Sequence, residues 1–73
     1  MAVRKVASDV AGSVWEVVVA VGDVVAADDT LIVIESMKME LPVAAPRGGT
    51  VVAIHVAKGD LVEEGQAVVD LEA

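Results

Sequence analysis

The chain has 73 residues, of which 56% are hydrophobic and only 1% aromatic, and its formal net charge is −7. A chain of this length forms one small domain, and its negative charge disfavours nucleic acid, whose phosphates would repel it. It contains no cysteine, which excludes disulfides and thiolate metal sites and fits a cytoplasmic location. No apolar run reaches the ~18 residues of a membrane span. We therefore expect a single cytoplasmic domain over residues 1–73 that is monomeric and has no membrane or nucleic-acid partner.

An internal repeat runs through most of the chain. Residues 12–35, GSVWEVVVAVGDVVAADDTLIVIE, align without a gap with residues 49–72, GTVVAIHVAKGDLVEEGQAVVDLE, at an offset of 37. Several matches are not explained by a composition rich in valine and alanine: Gly12 with Gly49, Gly22 with Gly59, Asp23 with Asp60, and Glu35 with Glu72. The repeat predicts two structurally equivalent halves.

Each copy has the pattern of several short strands. A glycine precedes a β-branched run, a Gly-Asp turn interrupts it, and two apolar segments follow, separated by a polar turn. Valine favours strands, so the fold is predicted to be all-β, without a helix of any length. Gly22 and Gly59 suit positions with positive φ, and Asp23 and Asp60 are predicted to accept hydrogen bonds from backbone amides.

The first strand of the repeat requires an irregularity. Val14 and Val19 differ by an odd number of residues, so they can share a face only across a β-bulge. Copies of this size are too small to bury separate cores, and we expect them to pack face to face as a β-sandwich or flattened barrel with approximate two-fold symmetry.

The segment between the two copies contains a predicted hairpin. Ser36–Met39 falls between the apolar strands 31–34 and 41–44, although it lacks the Asn-Gly or Asp-Gly pair of a two-residue turn. The hairpin carries Lys38 near the middle of the chain. A lysine exposed to water is almost entirely protonated at neutral pH, and no predicted pocket or cationic neighbour would activate it. Lys38 is therefore not expected to act as a nucleophile by itself, and any acylation of it would require another enzyme.

The stretch ESMKME, residues 35–40, resembles the biotin-attachment motif of the biotinyl/lipoyl carrier domains, in which Ala or Ser precedes Met-Lys-Met. The likeness extends from about Val6 to Glu72. It implies a flattened eight-stranded barrel, a barrel-sandwich hybrid of two quasi-symmetric halves, with the attachment lysine on the central hairpin. By this resemblance Lys38 carries covalent biotin and Met37 and Met39 are flanks recognised by the ligase, and the remaining neighbours of the motif are Glu35, Ser36 and Glu40.

The same resemblance implies a carrier and not an enzyme. A biotin protein ligase would attach biotin, and the tethered biotin would carry a carboxyl group between the biotin carboxylase and carboxyltransferase components of a biotin-dependent carboxylase, such as an acyl-CoA carboxylase. The chain is particularly similar to the small stand-alone biotinylated proteins of bacteria. Two alternatives are a lipoyl carrier domain, in which Asp-Lys-Ala is the usual motif, and an unmodified protein-interaction barrel.

The other chemically interesting residues favour structural roles. His55 has no cysteine nearby and no orienting partner recognisable in the sequence, so a surface strand position is predicted, with no metal site and no catalytic role. Trp15 is predicted to pack in the core or at a sheet edge. Asp28 and Asp29 lack further oxygen ligands and predict a charged turn. Gly48 and Gly49 are not followed by the Lys-Ser/Thr pair of a phosphate loop.

Overall fold

The computed structural model of the protein describes residues 2–73. This part of the chain forms eight strands and no helix, so it has no helix that could cross a membrane. The strands are β1 (Val3–Ala7), β2 (Gly12–Val17), β3 (Val24–Val25), β4 (Thr30–Ser36), β5 (Met39–Ala44), β6 (Gly49–Ile54), β7 (Leu61–Val62) and β8 (Ala67–Glu72). The predicted all-β class is therefore confirmed.

The strands form two antiparallel sheets of four, in the orders β1-β8-β6-β3 and β5-β4-β2-β7. An offset of 37 residues maps β1–β4 onto β5–β8, so the two sheets are equivalent by the two-fold symmetry that the repeat predicted. Among residues 2–73 no strand pairing joins one sheet to the other. The fold is thus a two-layer sandwich, which was one of the two predicted arrangements, and the described strands do not close into the flattened barrel that was the other.

Each sheet contains strands from both copies, which differs from the predicted face-to-face packing of two intact copies. β3 of the first copy pairs with β6 of the second, and β7 of the second copy pairs with β2 of the first. The short strands exchange because the chain crosses from one sheet to the other at each Gly-Asp turn. Both copies are therefore needed to complete either sheet.

The Gly-Asp turns hold this exchange together. Gly22, with a φ of 98°, donates its backbone N–H to the Val51 carbonyl oxygen at 2.7 Å, and the Val51 N–H donates to the Asp23 carbonyl oxygen at 2.8 Å. The second copy repeats these bonds between Gly59-Asp60 and Val14. The side chains of Asp23 and Asp60 each accept a hydrogen bond at 2.9 Å from the backbone N–H three residues earlier, as predicted.

One core lies between the sheets. The strands β4 and β8 supply most of its centre, with three fully buried side chains each, and the remaining strands cover it. The side chains of this centre are fully buried: Leu31, Ile32, Ile34, Val51, Val68, Val69 and Leu71. Burial of each aliphatic side chain contributes about 1.5–3 kcal/mol, so this layer holds the strands that carry the central hairpin.

The predicted bulge is present in both copies. The register between β2 and β4 shifts between Val14 and Glu16, and the register between β6 and β8 shifts at the equivalent place. Trp15 is the extra residue of the first bulge and its side chain is 46% exposed. Of the two positions predicted for Trp15, the core is wrong, because the preceding residue, Val14, is buried and strand alternation places Trp15 on the outer face.

The turn before β4 has a backbone conformation that is unfavourable for a residue with a Cβ, and only the second copy places a glycine there. Asp28 has a φ of 72°, and its symmetry counterpart Gly65 has a φ of 86°. Positive φ costs a residue with a Cβ about 1 kcal/mol relative to glycine. We expect Asp28→Gly to raise the free energy of unfolding by a few tenths to about 1 kcal/mol, and Gly65→Asp to lower it by a similar amount. Urea denaturation of both variants measures these changes in the free energy of unfolding. A change in the same direction for both variants would contradict the explanation.

Candidate functional site

Lys38 lies in the turn of the β4–β5 hairpin. Ser36 and Met39 form the last pair of the ladder, which leaves Met37 and Lys38 as the only two residues of the turn. Their φ values are 52° and 63°. Positive φ at both central residues is the requirement of a type I′ turn, whose twist suits a two-residue hairpin.

This turn forms without the glycine or asparagine that usually occupies positions with positive φ. Residues with a Cβ in such conformations cost about 1–3 kcal/mol each and persist only when the surrounding structure fixes them. Here β4 pairs with β5 along its length, and Ile34 and Val43 anchor the two strands in the core. The sandwich therefore fixes the backbone position of Lys38.

The side chains at the tip of the hairpin extend into water. Lys38 is exposed, and the side chains of Met37 and Met39 are 92% and 59% exposed. The only ion pair among residues 2–73 lies elsewhere, and Lys38 makes no side-chain hydrogen bond in this part of the chain. The amine is thus accessible to a large reagent, and nothing within the domain competes for it.

Strand alternation separates the neighbours of Lys38 into two faces. Ile34 is buried and lies opposite Leu41, which places Met39, two residues earlier on β5, on the same inner side of the sheet. Glu35 and Glu40 lie directly opposite each other and point outward. Like charges at directly opposed positions are unfavourable in a sheet.

The hairpin brings together all six residues that the sequence singled out. Its outer side carries two carboxylates, its inner rim carries a methionine, and the lysine is between them at the tip. The attachment role of these residues stays a prediction at this point, since the geometry establishes only that they are neighbours and that the lysine is accessible. Those residues are Glu35, Ser36, Met37, Lys38, Met39 and Glu40.

A polar pair that the sequence did not predict lies beside the other sheet. His55 is exposed, as predicted, but it follows the end of β6, so its predicted place in a strand is wrong. His55 Nε2 is 3.0 Å from Asp70 Oδ2, while Asp70 Oδ1 is buried without a hydrogen-bond partner. His55 therefore has a carboxylate beside it that was not recognisable in the sequence. Asp70 replaces a valine, Val33, at the equivalent position of the first copy, and this change from apolar to acidic was the one available signal.

Two kinds of site are not found in the described part of the chain. Residues 2–73 contain no group of three or more His, Cys, Asp or Glu side chains placed to hold a metal ion, and they enclose no cavity. The hairpin is thus the place where chemistry-bearing residues are both grouped and exposed.

Comparison with known families places this hairpin in context. Residues 1–71 match the model of the biotin/lipoyl family, which is described as "Biotin-requiring enzyme". The chain belongs to this family. The match to this family supports biotin as the cofactor.

Small proteins of similar length are among the relatives of this biotin/lipoyl domain. It is 38% identical over 66 residues to the biotin/lipoyl attachment protein of Bacillus subtilis, covering 90% of each chain. It is 41% identical over 63 residues to a biotinylated protein TB7.3 homolog of Mycobacterium leprae, covering 86% of this chain and 89% of that protein.

Large proteins contain similar domains. The crystal structure of the urea carboxylase of Kluyveromyces lactis matches 99% of this chain with a TM-score of 0.93 and 39% identity, but only 6% of that chain is covered. The domain spans 4% of the urea amidolyase of Saccharomyces cerevisiae and 10% of the dihydrolipoyllysine-residue acetyltransferase component of pyruvate dehydrogenase complex of Azotobacter vinelandii. The similarity therefore concerns the domain and not the whole of these proteins.

Proposed function

We propose that the chain is a biotin carrier domain in which Lys38 receives biotin through an amide bond. The observation that carries the proposal is an exposed lysine between two exposed methionines in a two-residue turn at the junction of the symmetric halves. The relative from M. leprae, named a biotinylated protein, supports biotin as the group. A barrel-sandwich hybrid with the attachment lysine on its central hairpin is the arrangement this proposal requires.

The residues present fit such an attachment. Lys38 can donate its amine to an acyl group without breaking an ion pair or hydrogen bond, because it makes none within residues 2–73. Amide formation removes the positive charge of the side chain, and no buried partner charge is left uncompensated. The pairing of β4 with β5 fixes the backbone of the turn, so the Lys38 side chain moves about a fixed Cα position.

The work of the domain is positional. Biotin, when attached, supplies a ring nitrogen that accepts and releases a carboxyl group. Lys38 provides a flexible link of four methylenes, while β4 and β5 hold its Cα at the tip of the hairpin. Tethering raises the effective concentration of the bound group at each active site that the tip can reach. The proposed domain is therefore a carrier without a catalytic residue of its own.

The partners follow from the same chemistry. A protonated lysine requires an enzyme that removes the proton and presents an activated acyl group, which a biotin protein ligase would supply. The carboxyl group would then pass between a biotin carboxylase component and a carboxyltransferase component. Similarity to a domain of a urea carboxylase supports carboxylase partners. A monomeric domain in the cytoplasm is part of this proposal.

A lipoyl carrier is the second candidate function. It is favoured by one specific observation, the 38% identity over 61 residues to the dihydrolipoyllysine-residue acetyltransferase component of A. vinelandii. Both functions use an exposed hairpin lysine, so the fold does not separate them. The methionines on either side of Lys38 favour biotin, since Asp-Lys-Ala is the usual lipoyl motif.

The two functions are separated by offering both cofactors to one preparation. The purified chain is incubated with biotin protein ligase, biotin and ATP, and in parallel with lipoate ligase, lipoate and ATP. An amide of biotin adds about 226 Da to the intact mass and an amide of lipoate about 188 Da. We expect complete biotin loading and little lipoate loading. Preferential lipoate loading would overturn the biotin proposal, and no loading by either ligase would favour an unmodified interaction domain.

The methionine flanks are expected to affect loading and not folding. Met37 contacts little of the protein, and Met39 is at the rim of the core, so alanine at either position should cost at most about 0.5 kcal/mol of stability. We expect Met37→Ala and Met39→Ala to lower the rate of biotin loading severalfold, with unchanged dispersion of amide resonances. Loss of dispersion would instead show that these side chains support the core.

A further inference from the structure

We propose that Met37 and Met39 form a redox-sensitive modification site, at which a hydroperoxide converts each thioether to a sulfoxide and thereby slows the loading of Lys38. The step that concerns loading rests on the proposed function. The oxidation itself rests on the exposure and chemistry of the two side chains alone.

Sulfur is confined to very few positions in this chain. The sequence has three methionines and no cysteine, so no thiol competes for a mild two-electron oxidant. The third methionine, Met1, lies outside the described residues. The other two are on either side of Lys38 in the sequence, and both side chains are exposed. Within residues 2–73, oxidation of thioethers by a peroxide is therefore directed to the hairpin tip.

The reaction is an oxygen transfer that needs only the peroxide. A lone pair of the thioether sulfur attacks the outer oxygen of the hydroperoxide, the O–O bond breaks, and a sulfur–oxygen bond forms. The departing oxygen takes up the proton and leaves as water or an alcohol. Sulfur loses two electrons and the peroxide gains them, and a methionine sulfoxide reductase can reverse the change.

The structure predicts that this modification alters recognition and leaves the fold intact. Met37 is 92% exposed, so a polar sulfoxide at its tip displaces nothing from the core. The residues that fix the turn are Ile34 and Val43 on the paired strands, and oxidation does not reach them. The change is concentrated on the surface beside Lys38, where an apolar contact becomes a strong hydrogen-bond acceptor.

The two methionines should react in a defined order. Met37 is in the turn itself, whereas Met39 is on the inner rim of β5, on the same side as Leu41, and is 59% exposed. Peroxide therefore reaches the sulfur of Met37 more freely. We expect Met37 to be oxidised before Met39 in a time course.

The experiment uses hydrogen peroxide on the full chain, followed by peptide mapping and a loading assay with biotin protein ligase. Each sulfoxide adds about 16 Da. We expect the initial loading rate of the wild-type chain to fall about tenfold once Met37 and Met39 are oxidised, since a ligase surface that accepts a thioether must desolvate the sulfoxide. Treatment with a mixture of both methionine sulfoxide reductases should restore the untreated rate.

Leucine variants provide the matched control, since leucine is apolar, close in size and not oxidised by peroxide. Met37→Leu, Met39→Leu and the double variant are each compared with their own untreated rates. We expect the double variant to be insensitive to peroxide. If peroxide lowers the loading rate of the double variant as much as that of the wild-type chain, the effect arises elsewhere and the proposal is overturned. The proposal is also overturned if the oxidised wild-type chain is loaded at its untreated rate.

Failure of the inference differs from failure of the proposed function. If the untreated chain is not loaded at all, the proposed function is wrong, and the part of the inference that concerns loading is wrong as well. If the untreated chain is loaded and the oxidised chain is loaded equally fast, only the inference fails. Oxidation of Met39 before Met37 would overturn the assigned order in either case.

Discussion

Replacing Lys38 with arginine is expected to abolish biotin loading completely, while Lys58→Arg is expected to load like the wild-type chain. Arginine keeps the positive charge and a similar length, but its guanidinium is not deprotonated in proteins and does not form the amide. The variant therefore removes the acceptor nitrogen without disturbing the exposed turn. Intact mass after incubation with ligase, biotin and ATP measures the result.

Lys58 is a demanding control because it occupies a similar setting. It too is an exposed lysine in a turn, before Gly59, and it is close to the start of β7 in the same sheet as the hairpin. It differs in lacking the flanking methionines and the two-residue hairpin. A biotin adduct on the Lys38→Arg chain, or a loss of loading in Lys58→Arg, would show that the attachment site is not the one proposed.

Gly12→Ala is expected to lower the free energy of unfolding by about 2–3 kcal/mol, the upper part of the range of about 1–3 kcal/mol that is typical of overpacking. A Cβ at Gly12 would overlap the carbonyl oxygen of Glu35 and would lie 2.9 Å from Ile34 Cγ2. Backbone atoms cannot move aside as a flexible side chain can. In a domain of this size the expected loss lowers the melting temperature by roughly 10–20 °C.

Two further glycines make this prediction specific. Gly49 is the symmetry counterpart, where a Cβ would lie 2.7 Å from the Glu72 carbonyl oxygen, so Gly49→Ala should be comparably destabilising. At Gly48 the nearest atom, the Val25 carbonyl oxygen, would be 3.3 Å away, and Gly48→Ala should cost less than about 1 kcal/mol. Thermal unfolding followed by circular dichroism measures all three, and similar melting temperatures for Gly12→Ala and Gly48→Ala would contradict the explanation.

The repeat made much of this fold predictable. Gly12 and Gly49 matched in the alignment, as did Glu35 and Glu72, and the structure shows that each glycine faces the backbone of the matched glutamate. A Cβ would overlap or closely approach that backbone in both copies, which explains why glycine occurs at both positions. The positive φ of Gly22 and the bulge after Val14 were predicted for similar local reasons.

Features that depend on contacts between distant residues were not predicted. The exchange of β3 and β7 between the halves leaves no local pattern, because each is only two residues long. The contact of His55 with Asp70 joins residues that are separated along the chain. Trp15 resembles a core residue by type alone. The residue before it on β2, Val14, is buried, so strand alternation places Trp15 on the outer face, and which face of β2 is buried depends on its packing against the other sheet.

The candidate site also has features that could be predicted from the sequence and others that could not. The position of Lys38 in a hairpin followed from the apolar strands on either side, and its significance followed from Met37 and Met39. The conformation of the turn did not, since neither Met37 nor Lys38 has an intrinsic preference for positive φ. The long ladder between β4 and β5 imposes that conformation, and a ladder is a tertiary property.

The first and last described residues are themselves partners. The Ala2 N–H donates to the Ala73 carbonyl oxygen at 3.3 Å, and the Ala73 N–H donates to the Ala2 carbonyl oxygen at 3.1 Å. A unit of this kind can therefore be inserted into a surface loop of a larger protein, because the two points of connection are only one strand spacing apart. Neither sheet would have to change, which is consistent with similar units making up most of a small protein and a few per cent of a very large one.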